Sequence, residues 1–175
     1  RLATTKENSP RVHETLGGKV SEITVLQLHQ LIAEGNAVVI DFSDSLKFGR
    51  GHIPGAWFAV RARIAEALSK IPPGLQLVLT SEDGNFAALA YSDVKQISST
   101  PVSVLRGGNS AWSMAGLPME SGRERLTTKN DDVWYSPIDR PDPIQAIHNY
   151  LDWETELIDR IQQERGVRFG HLKVE

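Results

Sequence analysis

The strongest constraint on the fold is the alternation of short apolar segments with helix-like segments between about residues 20 and 122. The run from Ala37 to Phe42 is almost continuously apolar, which is typical of a strand buried on both faces. Before it, Thr24 and Gln27 fit a capping box, and apolar residues at helical spacing continue to Gly35. This alternation predicts an α/β domain with a mostly parallel sheet.

The alternation continues along the chain with further strands and helices. We predict strands over Leu75–Thr80 and Val102–Leu105, and helices over Arg61–Ser69, Phe86–Ile97 and a segment across Ala111 and Trp112.

The character of the sequence changes after Gly122. A polar segment rich in Pro and Asp leads to Asp142 and Pro143, which fit the N-cap and the first position of a long helix. An apolar stripe follows at helical spacing, and Gly166 is predicted to end the helix. We therefore predict a crossing segment and a C-terminal amphipathic helix over residues 123–175, after a domain at residues 20–122.

A short string is repeated one domain length apart. The segment from Arg1 to Asn8 reappears, one residue shorter, from Arg125 to Asp131. Because the chain also starts without Met, the repeat predicts that residues 1–19 are the exit segment of an upstream sister domain in a tandem protein.

The sequence contains no cysteine, which excludes disulfides, thiolate metal sites and every mechanism with a sulfur nucleophile. The net charge is −3 with no basic cluster, so we expect neither nucleic acid nor membrane as a partner. The scattered histidines predict no metal site, and we expect no cofactor. No apolar segment fits a signal sequence or a membrane span, which predicts a cytoplasmic location.

Two motifs resemble the rhodanese (sulfurtransferase) domain. The first is Asp41-Phe42 followed by the segment GHIPGA, and the second is LRGG followed by AW and AGLP. The resemblance implies a doubly wound α/β domain with helices on both faces and an active site at the carboxyl ends of the strands. The motif residues are interpreted as structural, and they are Asp41, His52, Pro54, Gly55, Gly107, Gly108 and Trp112.

In that family the chemistry lies in a six-residue loop after a central strand, with cysteine first, glycine fourth and usually an arginine nearby. Backbone N–H groups of such a loop cradle the persulfide and the anionic sulfur donor. The resemblance places Ser81 at the cysteine position and Gly84 at the glycine position. The vestigial loop is Ser81, Glu82, Asp83, Gly84, Asn85 and Phe86.

Both requirements of the chemistry are missing from this loop. A serine hydroxyl is protonated near neutral pH and forms no persulfide. Glu82 and Asp83 are negative where an anion should bind, while Phe86 and Ser43 stand where the family often has arginine. We therefore predict a catalytically inactive domain with a structural or docking role, in a multi-domain sulfurtransferase whose sister domains carry the cysteine.

Several alternatives remain open from the sequence. The acidic loop could belong to a ligand- or peptide-binding regulatory module, and Ser81 could be a hydrolase nucleophile assisted by His52 and Asp41. Dual-specificity phosphatases also resemble this family, but they need the same cysteine and arginine. As partners we expect sister domains of the same polypeptide or further copies in a homo-oligomer.

Overall fold

The computed structural model describes residues 20–140 and 142–163. The chain divides into two compact units, with the boundary between Val133 and Trp134. The predicted first and last segments, residues 1–19 and the helix end at Gly166, lie outside the described residues.

The described part of the first unit contains one five-stranded sheet in which every neighbouring pair of strands is parallel. The strand order is β1-β5-β4-β2-β3, so the three longest strands lie side by side in the middle. The strands are β1 (Glu22–Ile23), β2 (Ala37–Asp41), β3 (Trp57–Phe58), β4 (Gln76–Thr80) and β5 (Val102–Leu105). The predicted α/β fold class is confirmed.

In the described part of the chain, five α-helices accompany this sheet, and one long α-helix belongs to the second unit. In the first unit they are α1 (Val25–Ala33), α2 (Ser45–Arg50), α3 (Ile64–Lys70), α4 (Asn85–Ile97) and α5 (Gly108–Met114). The helix α6 (Pro143–Gln163) follows a single 3₁₀ turn, Pro137–Asp139, in the second unit.

Successive residues of a strand point to opposite faces of the sheet. Each face of this sheet therefore presents apolar side chains, and helices cover both faces. In β2, Val38 and Ile40 pack in one apolar cluster, which receives Ala67 of α3 and Ala90 of α4. Val39 packs in the opposite cluster with Trp112 of α5. The near-continuous apolar run in β2 is therefore required by burial on both sides.

The sequence signals were reliable where an element is long or capped. The predicted capping box is present, since Gln27 N–H donates to Thr24 Oγ1 at 3.3 Å and Thr24 N–H donates to Gln27 Oε1 at 2.8 Å. The strands β1 and β3 and the helix α2 were not predicted. Two-residue strands and a six-residue helix are too short to show a period.

In the second unit the predicted long helix is present. Gln145 N–H donates to Asp142 Oδ1 at 3.1 Å, which agrees with Asp142 as the N-cap. The ring of Tyr150 on α6 contacts Trp134 and Trp153, with centroids 6.2 and 6.0 Å apart. Among the described residues, no helix combines the length and the apolar character that crossing a membrane would need.

The start of α5 lies directly against the loop that follows β4. Gly108 has φ +58°, and a Cβ atom there would lie 2.0 Å from the carbonyl oxygen of Ser81 and 2.5 Å from Gly84 N. The backbone N–H groups of Asn109 and Ser110 donate to the carbonyl oxygens of Ser81 and Glu82 at 2.8 and 2.9 Å. This close approach is possible only without a side chain at position 108.

We expect Gly108→Ala to destabilise the fold far more than Gly35→Ala. Both glycines have positive φ, so each substitution costs about 1 kcal/mol of backbone strain. A Cβ at Gly35 meets nothing within 4 Å, whereas at Gly108 it collides with backbone, for a total loss of about 3 kcal/mol or more. Urea unfolding of both variants measures the difference, and equal losses would contradict the close approach.

Candidate functional site

Polar residues follow three adjacent strands at the edge where their carboxyl ends meet. Asp41 ends β2, Ser81 follows β4, and Asn109 lies in the first turn of α5, which follows β5. Because β5, β4 and β2 are consecutive in the sheet, these residues come together at one edge. In open α/β sheets this edge is where ligands bind.

Asn109 links these strand ends through a buried hydrogen-bond network. Its side-chain Oδ1 accepts from Thr80 Oγ1 at 2.9 Å, and its Nδ2 donates to Asp41 Oδ2 at 2.7 Å and to Ser43 Oγ at 3.2 Å. Asn109 was not among the predicted site residues. Its position directly after Gly107-Gly108, at the end of a strand, is the signal that could have found it.

Asp41 is a buried carboxylate held by neutral donors. Ser43 N–H donates to Asp41 Oδ1 at 2.8 Å, in addition to the Asn109 contact. Burial raises the pKa of Asp41 above its ordinary value, and the hydrogen bonds from Ser43 and Asn109 offset only part of that effect.

The predicted loop begins with a buried serine whose side chain accepts from the first turn of the next helix. Ser81 is only 3% exposed, and its Oγ accepts from the backbone N–H of Ala87, in the first turn of α4, at 3.2 Å. Gly84 has φ +83°, and a Cβ there would lie 2.9 Å from the carbonyl oxygen of Leu105. The loop therefore curls so that Ser81 faces the helix N-terminus.

The carboxylate of Asp83 also lies at the N-terminus of α4, as Ser81 Oγ does. The carboxylate of Asp83 accepts from Asn85 N–H at 2.9 Å and from Asn85 Nδ2 at 2.7 Å. Asp83 thus supplies its own negative charge where an anion would otherwise bind.

The negative charge of Glu82 is neutralised by a lysine, a pairing that was not predicted from the sequence. Lys47 on α2 forms a short ion pair with Glu82 and lies 3.5 Å from Asp44. The hydrogen bond with Glu82 raises the pKa of Lys47 above its ordinary value. Asp83, and not Glu82, is therefore the acidic residue that places an unneutralised negative charge at the N-terminus of α4.

A pocket of about 940 Å³ opens beside the loop, and Ser81 is part of its wall. One group of lining residues is apolar: Phe42, Ala59, Val60, Ala62, Phe86 and Val133. The charged residues of the lining are Asp44, Lys47, Arg61, Glu82, Asp83, Asp93 and Asp132, so carboxylates outnumber cations. Such a lining disfavours an anion.

His52 holds a turn away from this pocket. Its Nδ1 lies 2.8 Å from the carbonyl oxygen of Phe48, its ring stacks on Phe48 at 3.9 Å, and its Nε2 lies 3.8 Å from Glu120 Oε2. Glu120 also accepts from Gly55 N–H at 2.7 Å, which fixes the turn around Pro54. These contacts leave the hydrolase alternative without a base at Ser81.

The other motif residues lie in the framework of the domain. Trp112 is buried, and its Nε1 donates to the carbonyl oxygen of Pro118 at 2.9 Å. A Cβ at Gly107, which has φ +74°, would lie 2.8 Å from the side chain of Ala111. Within residues 20–140 and 142–163, no group of three or more His, Asp and Glu side chains is arranged to hold a metal ion.

Comparison with known proteins identifies the relatives of this arrangement. Residues 24–115 match the family described as the Rhodanese-like domain. The chain is also similar to the thiosulfate sulfurtransferase of Pseudomonas aeruginosa, at 32% identity over 82% of this chain with a TM-score of 0.74. The chain spans only 28% of the length of that enzyme.

Two more distant structures share the fold. A rhodanese-related protein from Thermoplasma volcanium is 18% identical over 57% of this chain and 97% of its own, with a TM-score of 0.51. A protein of unknown function from Rhodopseudomonas palustris, described as a possible tyrosine phosphatase, is 22% identical over 69% of this chain and 99% of its own, with a TM-score of 0.54.

We expect the free energy of unfolding to depend on pH through the ionisation of Asp41. Because the pKa of Asp41 is raised in the folded state, the folded protein retains a proton that the unfolded chain has already lost. The contribution of Asp41 to stability therefore falls as the pH rises from about 4 through the raised pKa.

Urea unfolding of the wild type and Asp41→Asn across this pH range measures the effect. The stability of the wild type relative to the variant should decrease as the pH rises. Asp152→Asn, at an exposed position, serves as the matched control for removing a carboxylate. A constant difference between the wild type and Asp41→Asn would contradict the raised pKa.

Proposed function

Because the chain belongs to the rhodanese-like domain family, we propose that it is a catalytically inactive member with a structural or docking role. In this proposal the chain is one domain of a multi-domain sulfurtransferase, and the other domains contain the catalytic cysteine. The framework supports the proposal, since the sheet, the turn around His52 and the contact between Gly108 and the loop are all present.

The observation that carries the proposal is the chemistry of residue 81. Sulfur transfer needs a thiolate that attacks a sulfane sulfur and keeps it as a persulfide. The chain has no cysteine, and Ser81 places a hydroxyl at the start of the loop. A hydroxyl with an ordinary pKa is not ionised near neutral pH, so it cannot replace the thiolate.

The charge around Ser81 supports the same conclusion. An anionic donor such as thiosulfate would have to approach the α4 N-terminus, where the Asp83 carboxylate already accepts from Asn85 N–H. The cations of the pocket are engaged as well, since Lys47 pairs with Glu82, and Arg61 Nε donates to Asp93 Oδ2 at 2.7 Å. Repulsion of about 1 kcal/mol or more would oppose the anion at close range.

The multi-domain context is supported by two observations. The Pseudomonas aeruginosa enzyme, a thiosulfate sulfurtransferase, is several times longer than the region that this chain matches. The repeated string at Arg1 and Arg125 also fits duplicated domains. In this proposal the partners are sister rhodanese-like domains of the same polypeptide, or further copies in a homo-oligomer.

A second function is favoured by the pocket. A cavity of about 940 Å³ beside the vestigial loop is large enough for a small ligand or for side chains of a peptide. The domain would then act as a binding or regulatory module that reuses the former active-site edge. This function is compatible with the loss of catalysis.

We expect the purified wild-type protein to form no thiocyanate from thiosulfate and cyanide above the buffer blank, because it lacks a thiolate. Ser81→Cys should remain far less active than a cysteine-bearing thiosulfate sulfurtransferase assayed in parallel, since Asp83 still occupies the helix terminus.

Either half of the proposal can fail separately in this assay. Turnover by the wild type would refute catalytic inactivity. Turnover by Ser81→Cys equal to that of the active enzyme would show that the acidic residues do not matter. Circular dichroism of both proteins verifies that the comparison is made on folded chains.

A further inference from the structure

The pocket beside Ser81 contains carboxylates whose charge no cation of the described chain meets. Within the described residues, Asp83 accepts only from Asn85 N–H and Asn85 Nδ2, and Asp132 accepts from the backbone N–H of Ser45 at 2.9 Å. All these donors are neutral. The two cations of the lining are already paired with other acids, so the pocket keeps an excess of negative charge.

The same pocket offers an apolar wall. Phe86, 46% exposed at the start of α4, lines it together with Phe42, Val60 and Val133. A small inorganic cation would gain nothing from this wall. A cation on an apolar stem would bury the stem against it and keep its charged end near the carboxylates.

A buried hydroxyl in the pocket wall is a third feature that a ligand of the pocket should match, after the carboxylates and the apolar wall. Ser81 is 3% exposed, and its Oγ accepts from Ala87 N–H. Its hydroxyl hydrogen has no acceptor among residues 20–140 and 142–163. A buried hydroxyl of this kind needs an acceptor, and in a pocket wall a ligand oxygen such as a carbonyl can take that place from water.

We propose that this pocket binds a guanidinium or ammonium group carried on an apolar stem next to a carbonyl, which is the chemistry of an arginine or lysine residue. The charged end lies near Asp83 and Asp132, the stem packs on Phe86, and the carbonyl accepts from the Ser81 hydroxyl. This inference deepens the binding function proposed above and does not depend on whether sulfur transfer is absent.

The test compares two ligands that differ in charge alone. Nα-acetyl-arginine amide carries the cation, whereas Nα-acetyl-citrulline amide is its neutral isostere. We expect the arginine compound to shift the backbone amide resonances of residues 81–86 in a saturable way, and the citrulline compound to bind at least about tenfold more weakly. Butylguanidinium, which lacks the carbonyl, should bind more weakly than the arginine compound.

Variants then assign the effect to the pocket. Asp83→Asn with Asp132→Asn removes two charges while an amide oxygen can still accept the same backbone bonds, and it should weaken the arginine compound about tenfold. Glu34→Gln with Glu66→Gln removes two exposed charges that do not line the pocket, and should leave binding unchanged. Ser81→Ala should weaken binding severalfold.

The proposal is overturned if the arginine compound causes no saturable shift, if the citrulline compound binds equally well, or if both double variants behave alike. Butylguanidinium binding as tightly as the arginine compound would remove the carbonyl contact from the proposal and indicate a free amine or guanidine as the ligand. The thiocyanate assay run on the same samples separates these outcomes from a failure of the inactivity proposal.

Discussion

The hydrogen bonds from Asn109 and Ser110 to the carbonyl oxygens of Ser81 and Glu82 hold the site together. They satisfy N–H groups at the start of α5 and, with the same contacts, fix the loop after β4. The bonds form only because Gly108 lets the two backbones meet without a side chain between them. These contacts fix the loop through its backbone and do not use the side chain of residue 81.

Under the proposal of an inactive domain, this separation between scaffold and chemistry would let the fold persist without catalysis. Backbone contacts, the Asn109 network and the buried His52 require nothing of the side chain at position 81 beyond a small polar group. The chemistry, in contrast, requires a thiolate and a positive surrounding. In the proposed inactive domain, Ser81 and Asp83 leave these two requirements unmet, while both side chains accept from backbone N–H groups in the first turn of α4.

The sequence was sufficient for the fold class, and it predicted that the segment starting at Ser81 follows a central strand, while the role of that segment stays a prediction. Caps, apolar runs and the two motifs are local signals, and they predicted the central strands and the longer helices. The pairing of Lys47 with Glu82, and the Asn109 network, depend on residues far apart in the chain that the parallel sheet brings together. The strands β1 and β3 are only two residues long, so they become recognisable through pairing with a neighbour and not through periodicity.

The electrostatic effect of the residues around position 81 on a thiolate can be measured on an installed thiol. In Ser81→Cys, the helix N-terminus alone would depress the thiol pKa below the ordinary value of about 8.5, but the Asp83 carboxylate counteracts it. We expect a thiol pKa at or above that value by absorbance titration of the thiolate, and a clearly lower one in Ser81→Cys with Asp83→Asn. A strongly depressed thiol pKa in Ser81→Cys alone would contradict the account.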